Sequence, residues 1–413
     1  MSKKTEIENI VVVNDFSYTQ GGASKVAIST ANMLSKEKNV FFFCGDSSGG
    51  NELDENVKVI STNQVENLKN KNLIEGARNG IYNNKAYSML LDLLSKLGGE
   101  TIVHVHGWTK VLSASIFEAV YDSGKLLVTT LHDYFTVCPN GGFYDHKKDE
   151  ICELCPMTKK CKKCNCDSRN YLIKMYRVWR QEKQDSIFKK CNSLRDVIVI
   201  SDFSKEIFKK YLPTGVNYFK IPNPVDCGFG NNVNNINNKS DYYLFVGNLI
   251  KGKGPEIFCE AIKKADEKGV VVGDGPEKNE LCSRYSNIDF VGWKKKDEVG
   301  QYMNKAKALI FPSKWYEVAP LTVIESQSVG TPCIVSSKNA GSEYVEDGKN
   351  GLIYDGTVEG LVSAIKTFNA KCDSVDFGAA AKESFTEYAK NDYAKSLLLA
   401  YDTIYLRRKS RDK

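Results

Sequence analysis

The chain has 413 residues, of which 42% are hydrophobic and 26% are charged, and its formal net charge is +6. This composition allows ordinary buried cores, and roughly 100–200 residues per domain predicts two or three domains. The modest charge excludes an argument for nucleic-acid binding from charge alone, and it fits anionic small molecules or an anionic membrane surface equally well.

No window of the chain supplies the roughly 18 consecutive apolar residues that a membrane-spanning helix needs. The first ten residues, "MSKKTEIENI", contain no apolar signal segment, so we expect a cytoplasmic protein. Thirteen cysteines spread over the chain exclude a small secreted disulfide framework. Cys44, Cys259 and Cys333 lie in apolar runs and are predicted to fill cores.

The first half of the chain alternates buried strands with helical stretches. A long helical stretch is predicted over about 171–190. Short apolar runs rich in β-branched residues predict strands over 9–16, 39–45, 101–107, 125–133 and 196–201. Repeated strand–helix alternation with buried strands predicts a parallel, doubly wound sheet.

Residues 221–241 are rich in Asn, Gly and Pro and form the best candidate for a linker. Beyond them a second series begins, with helices from about 255 and from near Pro320. Its predicted strands span 242–249, 269–275, 288–293, 308–313 and 332–337. We therefore predict two α/β domains, residues 1–222 and 223–413. The helical stretch 392–406 is expected to pack on the outside of the second.

Ligands of doubly wound sheets bind beyond the carboxyl ends of the strands, so residues at those ends carry the functional candidates. Gly21 and Gly22 stand between the first strand and a helix, where bare backbone lets amide groups approach an anion. A plain tight turn is the alternative. His104, His106 and His132 also follow strands, either as cleft residues or as hydrogen-bonded structural histidines.

The second domain adds a cationic loop and two carboxylates. Lys251 and Lys253 lie in a glycine-rich turn before a helix, which suits a diphosphate, although a solvated turn is the alternative. Glu317 follows a strand, and Glu325 lies on the next helix. Carboxylates accept hydrogen bonds from the vicinal hydroxyls of sugars and ribose. Ordinary surface acids are the alternative.

Five cysteines and four lysines fall within residues 151–166, and Cys138 lies just upstream. The surrounding segment, about 134–170, is longer than most irregular loops and follows directly after His132. Four thiolates around a zinc ion would stabilise it. Two sets of ligands remain open beside free thiols. One is the pairs Cys152, Cys155, Cys161 and Cys164, and the other is Cys138, Cys152, Cys161 and Cys166.

Motifs in a fixed order give the chain a family resemblance. They are the "GG" loop, "HVHG", "TLHD", "IPNPVD", "GNLIKGKG", "VVGDGP", "FVGW", "FPSKWYE", "EVAPLTVIE" (Glu317 to Glu325) and "VGTPCIVS". This set resembles the retaining nucleotide-sugar glycosyltransferases of the GT-B class in family four, which carry a Glu-x7-Glu motif and include many enzymes of bacterial surface polysaccharides. The resemblance covers nearly the whole chain and implies a GT-B fold, two Rossmann-like domains facing a cleft.

The resemblance also implies residue roles. Glu317 would contact the donor sugar, Glu325 the ribose, and Lys253 the leaving diphosphate. His132 would line the reaction centre, and "VVGDGP" and "FVGWK" would flank the base. Further donor contacts are implied for Gly21, Gly22, Asn248, Gly273, Val318, Ala319, Pro320 and Leu321. Backbone amides from Val318 to Leu321 would assist as a helix N-terminus does.

Two residues depart from the family pattern. Asn248 stands where the family commonly has arginine, and Lys251 is expected to compensate. Ala319 stands where a bulkier aromatic residue is frequent, which predicts a reshaped sugar pocket. Relatives with a similar cysteine insert favour the quartet Cys138, Cys152, Cys161 and Cys166 as structural zinc ligands, with Cys155 and Cys164 as alternates.

The expected reaction is transfer of a sugar with retention, by front-face attack and without a catalytic metal, from a UDP- or GDP-sugar. Many relatives extend glycans linked to a lipid such as polyprenyl diphosphate. Segment 171–184 and "KKCKKC" combine basic and aromatic residues that suit the inner face of a membrane, although a solvated helix face is the alternative. Two rival hypotheses remain: a zinc protein that binds nucleic acid, and a GT-B relative with another activity or none.

Overall fold

The computed structural model describes residues 6–50, 52–225 and 240–411, so most of the predicted linker lies outside the described residues. The strands of the first half are β1 (Ile7–Phe16), β2 (Asn39–Asp46), β3 (Lys58–Ser61), β4 (Glu100–Val105), β5 (Leu126–Thr130), β6 (Tyr144–Asp145), β7 (Glu150–Ile151), β8 (Asp196–Val199) and β9 (Asn217–Lys220). Those of the second half are β10 (Tyr243–Val246), β11 (Gly269–Val272), β12 (Ile288–Gly292), β13 (Ala308–Phe311), β14 (Cys333–Ser336) and β15 (Gly351–Tyr354).

The helices alternate with these strands. In the first half they are α1 (Gly22–Leu34), α2 (Leu73–Ile81), α3 (Asn84–Lys96), α4 (Ser115–Ser123), α5 (Lys159–Lys163), α6 (Tyr171–Cys191) and α7 (Asp202–Lys209). In the second half they are α8 (Pro255–Lys264), α9 (Lys278–Arg284), α10 (Lys296–Lys305), α11 (Leu321–Ser328), α12 (Val358–Lys371), α13 (Phe377–Ala389) and α14 (Tyr393–Lys409). None of the described helices is long and apolar enough to cross a membrane.

The strands form two parallel sheets, which confirms the predicted doubly wound class. The first has seven strands in the order β3-β2-β1-β4-β5-β8-β9, and the second has six in the order β12-β11-β10-β13-β14-β15. The central strands are buried on both faces, as the four fully buried residues of β13 and of β14 illustrate. Helices therefore cover both faces of each sheet, and the carboxyl ends of the strands remain free to carry a site.

Three strands that the sequence did not reveal, β3, β9 and β15, lie at edges of the two sheets. Each has only four residues, and β3 and β9 have no fully buried residue. Partial burial weakens the apolar pattern of β3 and β9, whereas β15 has three buried residues but only four positions in which to show a pattern.

The last helix corrects the domain prediction. Although α14 belongs to the range assigned to the second domain, its apolar face packs on the first. Leu397 and Tyr401 are fully buried in a cluster with strand residues such as Val12 and Ile102. The Tyr393 hydroxyl also lies 2.9 Å from Oγ1 of Thr30 on α1. The chain thus returns to its first domain, because α14 supplies the apolar cover for one face of the first sheet.

Contacts join the two domains near the carboxyl ends of their strands. The hydroxyl of Ser201 donates a hydrogen bond of 2.6 Å to the backbone carbonyl of Val318. The carboxylate of Glu343 accepts hydrogen bonds from the backbone amides of Asp202 and Phe203. Val318 is buried within the apolar core of the first domain. The loop before α11 is therefore held against the first domain.

Candidate active site in the interdomain cleft

Glu317 lies at the centre of a hydrogen-bond network after β13. Its Oε1 accepts from Nζ of Lys253 at 2.5 Å, Nε1 of Trp315 at 2.6 Å and Oγ of Ser313 at 2.7 Å. Burial raises the pKa of this carboxyl, but the Lys253 charge and these hydrogen bonds outweigh burial and lower it. Glu317 is therefore ionised and fixed in orientation. All three donors contact Oε1, which leaves Oε2 to accept from a ligand.

Glu325 faces the glycine turn of the first domain. Its Oε1 lies 3.8 Å from Nζ of Lys25, which is on α1, one turn beyond Gly21 and Gly22. Gly21 has φ 121°, a backbone conformation that favours glycine, and a Cβ at either glycine would meet no atom within 4 Å. The two predicted donor elements, one from each domain, therefore meet across the cleft beside open space.

A cavity of about 300 Å³ lies at the carboxyl ends of β10 and β11. Three predicted donor residues, Asn248, Lys253 and Gly273, line it together with Trp293. Gly273 is required here, because a Cβ would come 1.9 Å from the carbonyl oxygen of Gly247. The exposed indole of Trp293 offers a flat apolar face for a base. The predicted grouping around a nucleotide is thus brought together.

Lys251 was expected to compensate for the arginine that Asn248 replaces, but it lies away from the cavity. Lys251 is exposed and is not among the residues that line the cavity, whereas Lys294 is. The ammonium of Lys294 lies 3.7 Å from the carboxylate of Glu298, which is in the first turn of α10. Among the described residues, Lys294 is the second lysine beside Lys253 at this cavity, and it follows the aromatic Trp293 in the motif "FVGWK".

The loop from Val318 to Leu321 precedes α11, which begins at Leu321. Of the backbone amides predicted to donate from Val318 to Leu321, Pro320 cannot contribute, because proline has no backbone N–H. Val318, Ala319 and Leu321 keep theirs, and the first turn of α11 points its amides toward the cleft end of the sheet. Ala319 is half-buried beside the first-domain core.

The three histidines at strand ends have different roles. His104 is fully buried, and its nitrogens lie 2.6 Å from the hydroxyls of Tyr401 and Thr130. It is therefore a structural residue beneath α14, and not a cleft residue. His106 Nδ1 lies 2.8 Å from Nε2 of His132, which is half-buried at the cleft end of β5.

Desolvation keeps these imidazoles neutral. It lowers the pKa of His104 and of His132 to about 3, and it also lowers the pKa of His106 well below its usual value. His132 can therefore accept or donate one hydrogen bond at the cleft, but it does not act as a cation near neutral pH.

The cysteine-rich insert brings the predicted quartet into one cluster. Cys138, Cys161 and Cys166 are buried, and the charges of all three act on Cys152. The ammonium of Lys174, which is fully buried, lies 3.3 Å from Sγ of Cys166 and 3.9 Å from Sγ of Cys161. Cys155 is exposed, whereas Cys164 lies beside both Asp145 and Cys166. Within the described part of the chain, however, no three His, Cys, Asp or Glu side chains are close enough to hold a metal ion.

The insert also contacts the second domain. The carboxylate of Asp149, in the turn between β6 and β7, lies 2.5 Å from Nζ of Lys314. The Tyr144 ring meets the Trp315 ring edge to face at 5.9 Å. Sequence reasoning passed over Trp315, although an aromatic residue two positions before Glu317 was a visible signal. The insert therefore lies beside the Glu317 network as well as beside His132.

Comparisons with known proteins agree with this arrangement. Residues 230–391 match the family described as glycosyl transferases group 1. A stretch of 170 residues is 26% identical to UDP-Gal:alpha-D-GlcNAc-diphosphoundecaprenol alpha-1,3-galactosyltransferase of Escherichia coli, covering 37% of this chain and 43% of that protein. Another, of 173 residues, is 31% identical to alpha-monoglucosyldiacylglycerol synthase of Acholeplasma laidlawii, covering 39% and 40%. The chain thus spans less than half the length of these relatives.

Solved structures match over nearly the whole length. Sucrose-phosphate synthase from Thermosynechococcus elongatus superposes with a TM-score of 0.67 at 14% identity, covering 98% of this chain and 100% of that one. Anabaena Alr3699/HepE, solved in complex with UDP and glucose, gives 0.64 at 13% identity, covering 97% and 99%. These likenesses establish the GT-B fold. The match to the family of glycosyl transferases group 1 covers residues 230–391, which is less than half of the chain.

Proposed function

We propose that the protein is a retaining glycosyltransferase that moves a sugar from a UDP- or GDP-sugar to a glycan acceptor carried on a lipid. The observation that carries this proposal is the Glu317–Lys253 pair, held at 2.5 Å between a nucleotide-sized cavity and the start of α11. A fixed carboxylate with one oxygen available binds sugar hydroxyls, and an adjacent ammonium binds phosphate.

The donor would lie across the carboxyl ends of β10 and β11. Its base would contact Trp293, its ribose Glu325, and its diphosphate Lys253 and the amides before α11. Gly21 and Gly22 would approach the phosphates from the first domain. A complex of Alr3699/HepE with UDP and glucose supports a uridine donor, and a guanosine donor is the alternative.

The reaction is a single displacement on one face of the sugar. The acceptor hydroxyl oxygen forms a bond to the anomeric carbon while the bond to the leaving phosphate oxygen breaks, and that phosphate takes the hydroxyl proton. Negative charge therefore grows on the diphosphate, where Lys253 and the α11 amides already point. Positioning and charge stabilisation supply the catalysis, and His132 lines the acceptor side as a neutral hydrogen-bonding group.

The acceptor would enter beside the insert. A cavity of about 890 Å³ lies between the insert and the second domain, and Ser313, Lys314 and Tyr316 border it next to Glu317. Polar side chains from both domains can bond to sugar hydroxyls there. The Escherichia coli relative is named for an acceptor linked to diphosphoundecaprenol, which supports a polyprenyl-diphosphate carrier.

A lipid carrier requires contact with the inner face of a membrane, and one surface of the first domain suits it. Leu73 and Ile74 begin α2 with exposures of 73% and 82%, and Leu172 begins α6 with 79%. Helices α2 and α6 pack against each other, since a Cβ on Gly80 of α2 would meet the hydroxyl of Tyr176 of α6. The Tyr171 hydroxyl donates to the carbonyl oxygen of Lys162 in α5, whose four lysines adjoin this apolar surface. Exposed apolar side chains among lysines fit an anionic bilayer.

We also propose structural zinc at Cys138, Cys152, Cys161 and Cys166. The clustered thiols and the buried Lys174 support it, because a buried ammonium needs negative charge and thiolates on a metal would provide it. Zinc bound to freshly purified protein at one ion per chain, and lost in Cys166→Ser but retained in Cys372→Ser, is the expected result. Purified protein without any metal would contradict the proposal.

The function is tested by thermal shift with UDP-, GDP-, ADP- and dTDP-sugars, followed by transfer assays with the donor that binds. One nucleotide should stabilise the wild type and fail to stabilise Glu325→Ala, and the product should keep the anomeric configuration of the donor. Binding with no transfer to lipid-linked acceptors would favour the non-catalytic subunit. Salt-dependent binding to nucleic acid, with no response to any nucleotide-sugar, would favour the rival class.

A further inference from the structure

The hairpin of the insert, β6 and β7, lies against the residue that orients Glu317. The Trp315 ring meets the rings of Tyr144 and His146 edge to face, with centroids 5.9 and 6.2 Å away. The ammonium of Lys253 lies 5.2 Å from the same ring centroid. Gly252 leaves little free space beside the indole, because a Cβ there would come 2.7 Å from it. The indole is therefore packed between the two domains.

An ion pair next to Trp315 fixes the same hairpin to the same loop. Asp149 lies 2.5 Å from Nζ of Lys314, the residue before Trp315, and also accepts a hydrogen bond from the Tyr144 hydroxyl. Tyr144 is buried, and the side chains of Lys314 and Asp149 are only 21% and 28% exposed, so solvent screens this contact less than an exposed pair. One short hairpin thus contacts two consecutive residues of the second domain: Asp149 pairs with Lys314, and Tyr144 packs on Trp315.

The hairpin is itself anchored to the cysteine cluster. The backbone amide of His146 donates to the carbonyl of Cys166 at 3.2 Å. Asp145 is buried, and its carboxylate accepts from Sγ of Cys164 at 3.4 Å. The cysteine segment therefore contacts the hairpin directly, and the hairpin in turn contacts the Trp315 ring.

Trp315 then acts on Glu317. Its Nε1 donates to Oε1 at 2.6 Å, the same oxygen that binds Lys253. A carboxylate with two donors on one oxygen can still rotate about them, and the third donor, which comes from a ring fixed by the other domain, restricts that rotation.

We propose that the insert hairpin is a positioning element for the donor site, in which Tyr144, His146 and Asp149 hold Trp315 so that Glu317 presents its second oxygen to the donor sugar. The assignment rests on the proposed function. It changes the role expected of the insert, since a segment next to the acceptor side would then also order the donor carboxylate. Only a chain whose two domains are docked would have the complete donor site.

The test compares the nucleotide with the nucleotide-sugar. UDP and UDP-glucose, or GDP and GDP-mannose if guanosine binds, are titrated by calorimetry into the wild type, Trp315→Phe and Asp149→Asn. Nucleotide affinity should stay within about twofold, because its cavity is not touched by the hairpin. The extra affinity that the sugar confers, and kcat, should fall about tenfold in both variants. Lys147→Gln, exposed on the same hairpin and outside the lining of the acceptor cavity, is the matched control.

A second readout does not need a donor. The Trp315 emission, obtained by subtracting the Trp315→Phe spectrum, should shift to longer wavelength in Asp149→Asn and Tyr144→Phe but not in Lys147→Gln. Unchanged emission in both variants would overturn the proposal, as would variants whose sugar preference equals that of the wild type. A wild type that binds no nucleotide-sugar would refute the proposed function, while the emission measurement would still decide whether the hairpin holds Trp315.

Discussion

Lys253 and Glu317 are 64 positions apart in the chain, yet their side chains meet at 2.5 Å. Each follows a strand of the second sheet, β10 and β13, which are adjacent and parallel. Loops at the carboxyl ends of adjacent parallel strands lie at the same edge, which explains why residues of two separate motifs form one pair.

The diphosphate role proposed for Lys253 predicts a large kinetic effect. Lys253→Gln should lower kcat by about 10²–10³-fold, because a cation placed where charge develops is worth that much. Initial rates at saturating donor measure this. Lys251→Gln is the matched control, since Lys251 is two residues away and exposed. An equal loss in both variants would contradict the assignment and support compensation by Lys251.

The burial of His104 predicts a pH dependence of stability. Its pKa is about 3 in the folded protein and about 6.5 when unfolded, so the unfolded chain takes up a proton first as pH falls. The free energy of unfolding should therefore drop below pH 6.5, by about 2 kcal/mol from this residue at pH 5. Urea unfolding at pH 7.5 and pH 5 measures it.

The variant His104→Gln isolates that contribution. It should lower stability at pH 7.5, because Tyr401 and Thr130 lose good hydrogen-bond geometry. Its pH dependence between 7.5 and 5 should be weaker than that of the wild type by about 2 kcal/mol. All other titrating groups are common to both proteins, so identical pH dependence would rule out the neutral buried imidazole.

At the scale of elements, α14 shows that a helix can be predicted from the sequence although the domain it packs against cannot. Apolar residues at helical spacing indicate one buried face, and the structure buries Leu397, Tyr401 and Ile404. Nothing in that pattern states which domain supplies the facing surface. The polar atom of Tyr401 adds specificity, because it meets Nδ1 of His104 on β4.

Two leucines of α14 give a matched pair of substitutions. Leu397→Ala should lower the free energy of unfolding by about 2–5 kcal/mol, because the side chain is fully buried. Leu399→Ala should change it by less than about 0.5 kcal/mol, because 59% of that residue is exposed. Thermal or urea unfolding separates the two. A small effect at Leu397 would mean that α14 does not pack on the first domain in solution.

At the scale of the whole molecule, the first domain has two distinct faces. Its cleft side contacts the second domain through Ser201 and Asp202, whose partners are Val318 and Glu343, and the starts of α2 and α6 carry exposed apolar side chains. A lipid-linked acceptor bound at the second face would reach the cleft along the insert. Within the insert, α5 lies beside the apolar surface and the hairpin lies beside the cleft.

The membrane-binding surface proposed at the starts of α2 and α6 predicts selective binding to anionic vesicles. The double variant Leu73→Ser, Ile74→Ser should sediment with phosphatidylglycerol vesicles at least about tenfold more weakly, since burying a leucine contributes about 1.5–3 kcal/mol. Leu406→Ser, 63% exposed on α14, is the control and should bind as the wild type does. Equal binding by all three proteins, or none by the wild type, would contradict this surface.

The sequence by itself determined the strand–helix alternation, the two doubly wound sheets and the motifs at the strand ends. These depend on local periodicity and on the rule that ligands bind at the carboxyl ends of parallel strands. Cys44, Cys259 and Cys333, predicted as core residues, are confirmed as fully buried. The edge strands β3 and β9 were missed, because partial burial weakens their pattern.

Only the tertiary structure decided which surfaces meet. It placed α14 on the first domain, turned His104 away from the cleft, chose Lys294 over Lys251 at the cavity, and set the insert hairpin against Trp315. Each of these contacts joins residues distant in the chain, so no local spacing encodes it. They follow from the shapes and charges of complete surfaces, which exist only after both domains have folded.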